Sequence, residues 1–282
     1  MSDSSSPPDA EAVPDYAAMG RLDGRGVLVA GAGAGIGRQT AHALAAVGAR
    51  VGCVDLTPAL AAGVADEVGG VALVGDIADE DDLARLLAQA RAALGPITGI
   101  VDIVGGARFV DIIDSTLADW EQSQHVNLRH ALLLARLGSA AMAADGGGSL
   151  VYISSYDGMS GSAHHAFYGM AKAALLSLVR SAAVEQGELG VRVNAVSPGI
   201  VWTPRMGAVI GDDYPRWAGL GPLGRTALPS DVAAAALFLI SDLSAYVTGQ
   251  NLLLDGGVDV VSPYPIGDLY RKANAAKGAG AS

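Results

Sequence analysis

The sequence is poor in cysteine, in lysine and in long apolar runs. Its one cysteine, Cys53, cannot form an intrachain disulfide, which is typical of a reducing compartment. No apolar run reaches the ~18 residues that span a bilayer, and residues 1–20 lack the charged and apolar regions of a signal peptide. These absences predict a soluble, cytoplasmic chain in which Cys53 packs in the core.

Positive charge is scarce as well. Lysine and arginine total 18 against 29 acidic residues, giving a net charge of −11 and a pI near 4.7. This balance argues against nucleic acid or an anionic membrane as a partner, so an anionic ligand must be bound by local groups. No spacing of His, Cys and Asp suggests a metal site.

Short apolar runs alternate with longer helical patterns along most of the chain. The apolar runs cover residues 27–30, 51–54, 71–74, 100–104, 150–153, 191–196 and 251–254. The helical patterns cover residues 36–47, 58–68, 79–94, 117–144, 168–186 and 229–239. This alternation predicts an α/β fold, a single-domain Rossmann-type doubly wound parallel sheet of about seven strands in the order 3-2-1-4-5-6-7.

Three segments follow from the same patterns. Residues 21–262 form one catalytic domain, and residues 1–20, rich in Ser, Pro, Asp and Ala, form a disordered tail. Residues 263–282 form an extension that is either a loose tail or an arm reaching a neighbouring subunit.

Tyr168 and Lys172 lie four residues apart at the head of an Ala- and Leu-rich helical pattern, so their side chains share one helix face. A nearby ammonium favours the phenolate and lowers the pKa of a tyrosine from about 10. Lys172 is the sole lysine before Arg271, which indicates a role that a guanidinium cannot fill. The alternative is a buried tyrosine and a solvated lysine that share a helix by chance.

A glycine-rich turn follows the first apolar run. Its spacing is Gly31-x-x-x-Gly35-x-Gly37, with Ile36 in the sixth position, where Gly-x-Gly-x-x-Gly would require a glycine. Such a turn lets the backbone approach a pyrophosphate, whose charge the amides of the next helix meet. Close packing of a strand on a helix also needs glycine, so this alternative stays open.

Asp55 ends the second apolar run, 18 residues beyond Gly37, where an acid can bind both hydroxyls of an adenosine ribose. It could equally cap the helix that begins at Pro58. A carboxylate there would repel a 2′-phosphate, and Leu56 offers no compensating cation, so the sequence favours NAD over NADP. Arg38 is the one nearby base that could contradict this choice.

Asp76 ends the third apolar run, directly before Ile77. This position suits the adenine edge of a dinucleotide, although Asp76 could instead cap the helix that begins near residue 79.

The glycine turn, Asn127, Ser155, Tyr168-x-x-x-Lys172 and Pro198-Gly199 occur in an order and spacing that resemble the classical short-chain dehydrogenases/reductases, over about residues 22–260. The resemblance implies that Tyr168 exchanges a proton with the substrate oxygen, while Lys172 lowers its pKa and holds the nicotinamide ribose. It also implies that Ser155 hydrogen-bonds the substrate oxygen and that Asn127 anchors a water.

The resemblance extends to the cofactor and to assembly. Pro198, Gly199, Ile200 and Thr203 match the segment that brackets the nicotinamide carboxamide. Residues 246–250 and 255–257 look like the family's last-strand signature, which implies a homotetramer or homodimer. The predicted cofactor-binding residues are therefore Gly31, Gly35, Ile36, Gly37, Asp55, Leu56, Asp76, Ile77, Gly105, Tyr168, Lys172, Pro198, Gly199, Ile200 and Thr203.

One position departs from the family pattern. Where the family usually has Asn-Asn-Ala-Gly after the fourth strand, this chain has Asp102-Ile103-Val104-Gly105. An ionised carboxylate only accepts hydrogen bonds, so it cannot tie neighbouring strands as the asparagine does.

These features together predict an NAD-dependent oxidoreductase that interconverts a secondary alcohol and a ketone. The resemblance implies that the substrate loops follow the strands that carry Ser155 and Pro198. Here these loops are apolar, which favours a terpenoid, steroid or aryl carbonyl, although the same residues could simply pack a lid. His164 and His165 lie close enough to Tyr168 to reach a substrate. A catalytically silent dinucleotide-binding regulator and a 3-oxoacyl thioester reductase are the alternatives. The apolar loop set consists of Met159, Gly161, Trp202, Met206, Val209, Ile210 and Trp217.

Overall fold

The computed structural model describes residues 11–264 and 266–279, and its centre is a parallel sheet of seven strands in the order β3-β2-β1-β4-β5-β6-β7. The fold class is thus the one that the sequence predicts. The strands are β1 Gly26–Ala30, β2 Arg50–Asp55, β3 Val71–Val74, β4 Ile97–Asp102, β5 Gly148–Ile153, β6 Val191–Pro198 and β7 Asn251–Leu254.

The sheet is buried on both faces because its central strands are apolar along their length. All five residues of β1 are buried, as are the last four of β4. Strand β4 begins and ends earlier than its apolar run. Val104 N–H donates to the Oδ1 atom of Asp102 at 3.1 Å instead of continuing the ladder, so the chain leaves the sheet there.

Helices cover both faces of the sheet. They are α1 Tyr16–Met19, α2 Gly35–Ala46, α3 Pro58–Val68, α4 Glu80–Leu94, α5 over residues 117–144, α6 Ala166–Gln186, α7 Pro204–Ile210, α8 Tyr214–Ala218, α9 Pro229–Ile240 and α10 Ile266–Ala279. Helix α5 contains two π-helical turns, His125–Arg129 and Leu134–Gly138. The sequence patterns predict α2 to α6 and α9, whereas α1, α7, α8 and α10 lie in stretches without a predicted helix.

By length and composition alone, helix α6 is long and apolar enough to cross a membrane, with a mean hydropathy of 1.2 over its most apolar window. It packs along β6 and buries one face, which includes Lys172, Leu175 and Val179. An ammonium therefore lies inside the core on this helix.

Cys53 on β2 is buried in the core, as the sequence predicts, and burial raises the pKa of its thiol to about 11.

Both terminal segments that the sequence sets apart from the domain contain a helix. Asp15 accepts hydrogen bonds from the first amides of α1, so residues 16–19 are helical within the stretch assigned to a tail. Residues 1–10 lie outside the described residues. In the C-terminal extension, α10 occupies most of the stretch, and Pro265 and residues 280–282 lie outside the described part of the chain.

The carboxyl ends of the parallel strands share one edge of the sheet. Asp55, Asp102, Ile153 and Pro198 end β2, β4, β5 and β6, respectively. The order reverses between β1 and β4, which leaves a crevice at this edge, where doubly wound sheets bind ligands.

We expect G37A to destabilise the chain by about 1–3 kcal/mol, because a Cβ on Gly37 would lie 1.9 Å from the carbonyl oxygen of Gly31. The matched control is G63A in α3, where an added Cβ meets nothing within 4 Å. That substitution should stabilise the chain by about 0.5–1 kcal/mol, since alanine favours helix. Urea unfolding measures both changes, and equal stability of the two variants would contradict the close packing of β1 on α2.

Candidate active site

The glycine turn between β1 and α2 forms an open cradle at the crevice. Gly31 and Gly35 have φ angles of +80° and +55°, which glycine adopts without strain. Helix α2 begins at Gly35, and its N-cap, Ala34, offers no side-chain cap, so its first amides are available to an anion. Ile36 is the second residue of this helix and is half-buried. The cradle fits the pyrophosphate of a dinucleotide.

Asp55 lies beside the cradle. Its Oδ2 atom accepts from Gly33 N–H at 3.0 Å, and its Oδ1 atom accepts from Thr57 N–H at 2.9 Å. Both bonds hold the carboxylate at the end of β2, next to the exposed side chain of Leu56. Arg38, the nearest base in the sequence, donates to Glu67 at 2.6 Å and is therefore occupied.

Asp76 and Ile77 follow β3. The Oδ1 atom of Asp76 accepts from Ala78 N–H at 2.8 Å, whereas Asp79 caps α4 by accepting from Asp82 N–H at 2.9 Å. Asp76 is thus not the cap of that helix. The side chain of Ile77 packs in the core.

Tyr168, Lys172 and Ser155 meet at the carboxyl end of β5. The Nζ atom of Lys172 lies 5.7 Å from the centre of the Tyr168 ring and donates to the carbonyl oxygen of Ile153 at 2.9 Å. Ser155 follows β5; its hydroxyl accepts from Asp157 N–H at 3.2 Å and lies close enough to the Tyr168 phenol to lower the pKa of that phenol. The adjacent Ser154 is buried and donates instead to the carbonyl oxygen of Lys172 at 3.3 Å, in keeping with its opposite side on the extended chain.

The electrostatics of this group differ from the expectation that Lys172 lowers the pKa of Tyr168. Burial raises the pKa of the Tyr168 phenol, the hydrogen bond from Ser155 lowers it, and the charge of Asp157 raises it, with a raised value as the result. Burial also lowers the pKa of Lys172 to about 8, although Asp102 acts in the opposite direction. The physical reason is desolvation, which disfavours both charged forms.

Asn127 and Gly105 adjoin this group. Asn127 is 1% exposed, and its side chain accepts from Gly106 N–H at 2.8 Å and donates to the carbonyl oxygens of Gly106 and Ser123 at 3.0 Å. A Cβ on Gly105 would lie 2.9 Å from Asn127 Oδ1 and 3.2 Å from Lys172 Nζ. The structure therefore brings Asn127, Gly105 and Lys172 together, as the sequence predicts.

The segment after β6 closes the other side of the crevice. Gly199 N–H donates to Leu254 at 2.9 Å, and the carbonyl oxygen of Ile200 accepts from Ala227 N–H at 2.9 Å, which fixes the backbone after Pro198. Thr203 caps α7, and its methyl group lies 3.5 Å from the position of a Cβ on Gly35. The predicted nicotinamide segment thus adjoins the glycine cradle.

The apolar loop set divides in two. Ile210 is buried at the end of α7, and the Trp202 and Tyr214 rings meet edge-on with 4.7 Å between ring centres. Val209 and Met159 remain exposed. Part of the set is therefore packed and part of it is exposed.

Sequence reasoning missed the carboxylate partners of three histidines near this site. His164 Nδ1 lies 2.6 Å from Asp111 Oδ1 on an exposed part of the surface. His165 Nδ1 lies 2.7 Å from Asp157 Oδ2, and the His165 and Tyr168 rings meet edge-on with 5.8 Å between ring centres. Asp102 and His130 are joined at 2.7 Å, and both side chains are 1% exposed. His130 lies three residues after Asn127 on α5, a spacing that could have indicated a shared helix face.

The donor set fits a nicotinamide dinucleotide: an anion cradle, a carboxylate at the ribose position, and a lysine beside a tyrosine in one crevice. Comparison with known families supports this assignment. The family model described as Enoyl-(Acyl carrier protein) reductase matches residues 31–259. The chain belongs to the short-chain dehydrogenase/reductase family.

Individual relatives are dehydrogenases. Galactitol 2-dehydrogenase (L-tagatose-forming) of Cereibacter sphaeroides is 36% identical over 87% of this chain and 99% of its own. The 2-(S)-hydroxypropyl-CoM dehydrogenase 3 of Xanthobacter autotrophicus is 34% identical over 86% of this chain and 99% of its own. A solved 7α-hydroxysteroid dehydrogenase in complex with NADH and 7-oxo glycochenodeoxycholic acid is 33% identical, with a TM-score of 0.81 over 86% of this chain and 98% of its own. The chain is accordingly an oxidoreductase acting on CH–OH groups, with a nicotinamide dinucleotide as its cofactor.

We expect S155A to lower kcat for alcohol oxidation by about 10²–10³, because it removes the hydroxyl positioned to bind the reacting oxygen. The control is S154A, whose hydroxyl bonds only the backbone of Lys172 among the described residues, so kcat should stay within a few-fold. Steady-state kinetics at saturating cofactor measure both. Similar losses in the two variants would contradict the different placement of the serines.

Proposed function

We propose that this protein is an NAD(H)-dependent oxidoreductase that interconverts an apolar secondary alcohol and its ketone, with Tyr168 as the general acid and base. The observation that carries the proposal is the meeting of Tyr168, Ser155 and Lys172 beside the glycine cradle. The bound nicotinamide supplies or accepts the hydride. The residues of this chain hold the cofactor and substrate and move the proton.

The charge state of Tyr168 fixes its role in each direction. Because its pKa is raised, the phenol carries its proton at neutral pH and can donate it to a carbonyl oxygen during reduction. Oxidation needs the phenolate, which is favoured at higher pH. Lys172 acts against the phenolate at high pH, because its ammonium loses its proton, and with it the positive charge beside Tyr168, as pH rises through about 8.

The choice of NAD is supported by the surroundings of Asp55. The carboxylate is fixed at the end of β2, Leu56 is apolar, and Arg38 is bound to Glu67. A 2′-phosphate placed against Asp55 would meet like charge without a neighbouring free cation among these residues.

An apolar substrate is supported by the side chains around the crevice. Phe109 is 69% exposed and stacks on His165 at 4.4 Å between ring centres, and Met159 and Val209 are exposed as well. The relatives include both a galactitol dehydrogenase and a hydroxysteroid dehydrogenase, so the substrate panel should contain both classes.

We also propose a homotetramer or homodimer located in the cytoplasm. Apolar side chains on α5 and α6 are exposed in the single chain, and an interface between copies would bury them. They are Leu117, Leu132, Met170 and Val184.

We expect the protein with NAD to oxidise apolar secondary alcohols, such as a terpenoid alcohol, a hydroxysteroid or 1-phenylethanol, with higher kcat/KM than galactitol or a 3-hydroxyacyl thioester. The absorbance of the reduced nicotinamide measures each rate. Faster oxidation of galactitol would contradict the apolar class while leaving the reaction type intact. For the preferred alcohol, Y168F should lower kcat by at least about 10² through loss of the proton acceptor, with NADH affinity within about twofold.

The control for Y168F is Y156F, which removes a hydroxyl that hydrogen-bonds the exposed Asp259 at 3.4 Å. It should keep kcat within about twofold. Unchanged turnover in Y168F would remove the proposed mechanism.

We expect NADH to bind at least about tenfold more tightly than NADPH, a difference of about 1.4 kcal/mol, because Asp55 repels the 2′-phosphate. Titration of nicotinamide fluorescence measures both affinities. D55S should narrow the ratio chiefly by improving NADPH binding. Tighter binding of NADPH to the unmodified protein would overturn the role of Asp55.

A further inference from the structure

The buried pair of Asp102 and His130 is used by no step of the proposed reaction, yet it lies beside the catalytic group. Asp102 is the register partner of Tyr152, the residue before Ile153, whose carbonyl oxygen accepts from Lys172. The segment that follows Asp102 leads to Gly105, where a Cβ would lie 3.2 Å from Lys172 Nζ. The carboxylate and the ammonium are therefore buried in the same small region.

The hydrogen bonds of Asp102 indicate that it is a carboxylate. Its Oδ1 atom accepts from Val104 N–H at 3.1 Å, and its Oδ2 atom faces His130 Nδ1 at 2.7 Å. Two donors for two oxygens suit an acceptor-only group. An asparagine in this place would turn an N–H group toward His130 instead.

The other ring nitrogen of His130 indicates that the imidazole is neutral. Nε2 is buried and has no hydrogen-bond partner among the described residues. A proton on Nε2 would leave a buried donor unpaired, whereas a proton on Nδ1 is bound by Asp102. The pair consequently holds one negative charge that His130 orients but does not cancel.

We propose that Asp102 is a positioning residue whose buried negative charge keeps Lys172 in its ammonium form, and that His130 orients this charge. The proposal rests on the proposed function, in which the ammonium of Lys172 assists Tyr168. A buried ammonium that only met the carbonyl oxygen of Ile153 would lose its proton readily, because burial disfavours the charge. Asp102 offsets part of this penalty, in agreement with its upward effect on the pKa of Lys172.

The other ionisable groups around Lys172 offer no equivalent charge. Tyr152 is fully buried, donates to the carbonyl oxygen of Ala131 at 2.8 Å and has a pKa raised well above its usual value, so it is neutral. Tyr168 is likewise protonated at neutral pH, and the charge of Asp157, which is bound to His165 and 14% exposed, acts on Tyr168 and not on Lys172. The ionisable groups around this region include Asp102 on β4, His130 on α5, Tyr152 on β5, Asp157 after β5 and Tyr168 on α6. Arg205 on α7, whose guanidinium would lie 3.8 Å from a Cβ on Gly106, is a further cation and supplies no negative charge.

The test follows the side-chain resonances of lysine by NMR, because the chain has three lysines in all and Lys172 is the one within the domain. Protein labelled with ¹³C and ¹⁵N in lysine is titrated without cofactor, and K172M assigns the signal. In the unmodified protein the ε-carbon of Lys172 should titrate near pH 8. In D102N the midpoint should fall by about one unit, while Lys272 and Lys277 serve as internal references.

Two controls separate charge from structure. D145N removes another buried carboxylate, at the opposite end of β4, where Asp145 accepts from Ile97 N–H at 2.9 Å, and should leave the midpoint of Lys172 unchanged. H130Q keeps the carboxylate and a donor to it, so its midpoint should stay within about 0.3 unit of the unmodified value. If D102N does not fold, D102S gives the same comparison, since its hydroxyl still accepts from Val104 N–H.

An unchanged midpoint in D102N or D102S overturns the proposal, and so does an equal fall in H130Q or D145N. The NMR midpoint of Lys172 does not depend on turnover, so it tests the role of Asp102 even if the proposed reaction is wrong. In the active enzyme the alkaline fall of ketone reduction should move to lower pH in D102N by the same amount as the NMR midpoint.

Discussion

The burial of one ammonium group constrains the rest of this active site. Lys172 is 2% exposed on a helix that packs against the sheet, so its charge must be met by groups inside the protein. The carbonyl oxygen of Ile153 provides a hydrogen bond, and Asp102 provides a buried negative charge nearby. Without these groups the charged form would be too costly, and the tyrosine one turn earlier would have no cation beside it.

The same burial explains the charge state of Tyr168. Desolvation acts on phenol and ammonium together, raising the pKa of one and lowering that of the other. The two groups therefore differ more in pKa than free tyrosine and lysine do, so at neutral pH the Tyr168 phenol keeps its proton and can donate it to a carbonyl oxygen. Ser155 assists because its hydrogen bond favours the phenolate.

Much of the fold follows from the sequence because its strands are short, continuous apolar runs separated by helical patterns. The sheet order, helices α2 to α6 and helix α9 agree with that interpretation, whereas α10 lies in a stretch without a predicted helix. Helices α7 and α8 escaped prediction because each is shorter than eight residues and depends on contacts such as that between Trp202 and Tyr214. The apolar run extends past the end of β4, because Asp102 accepts from the amide of Val104 and the chain leaves the sheet there.

The sequence predicts that Tyr168 and Lys172 lie together but not the electrostatics of the candidate site. Spacing places Tyr168 and Lys172 on one helix face, and the structure adds Gly105 and Asn127 around them. Spacing does not reveal that Lys172 points to Ile153, nor that Asp102 meets His130, because residues 28 positions apart are paired only by the packing of α5 on the sheet. The sequence shows that Asp102 stands where the family usually has asparagine, but it does not show that His130 is the partner of Asp102.

Transfer of deuterium from the cofactor tests the central claim most directly. NADH carrying deuterium at C4, prepared as both epimers, is incubated with the protein and the ketone of the preferred alcohol, and the product is analysed by mass spectrometry. The account predicts that one epimer delivers its deuterium to the carbinol carbon and the other does not. Alcohol formed without deuterium from either epimer, or no alcohol from any ketone of the panel, would contradict it.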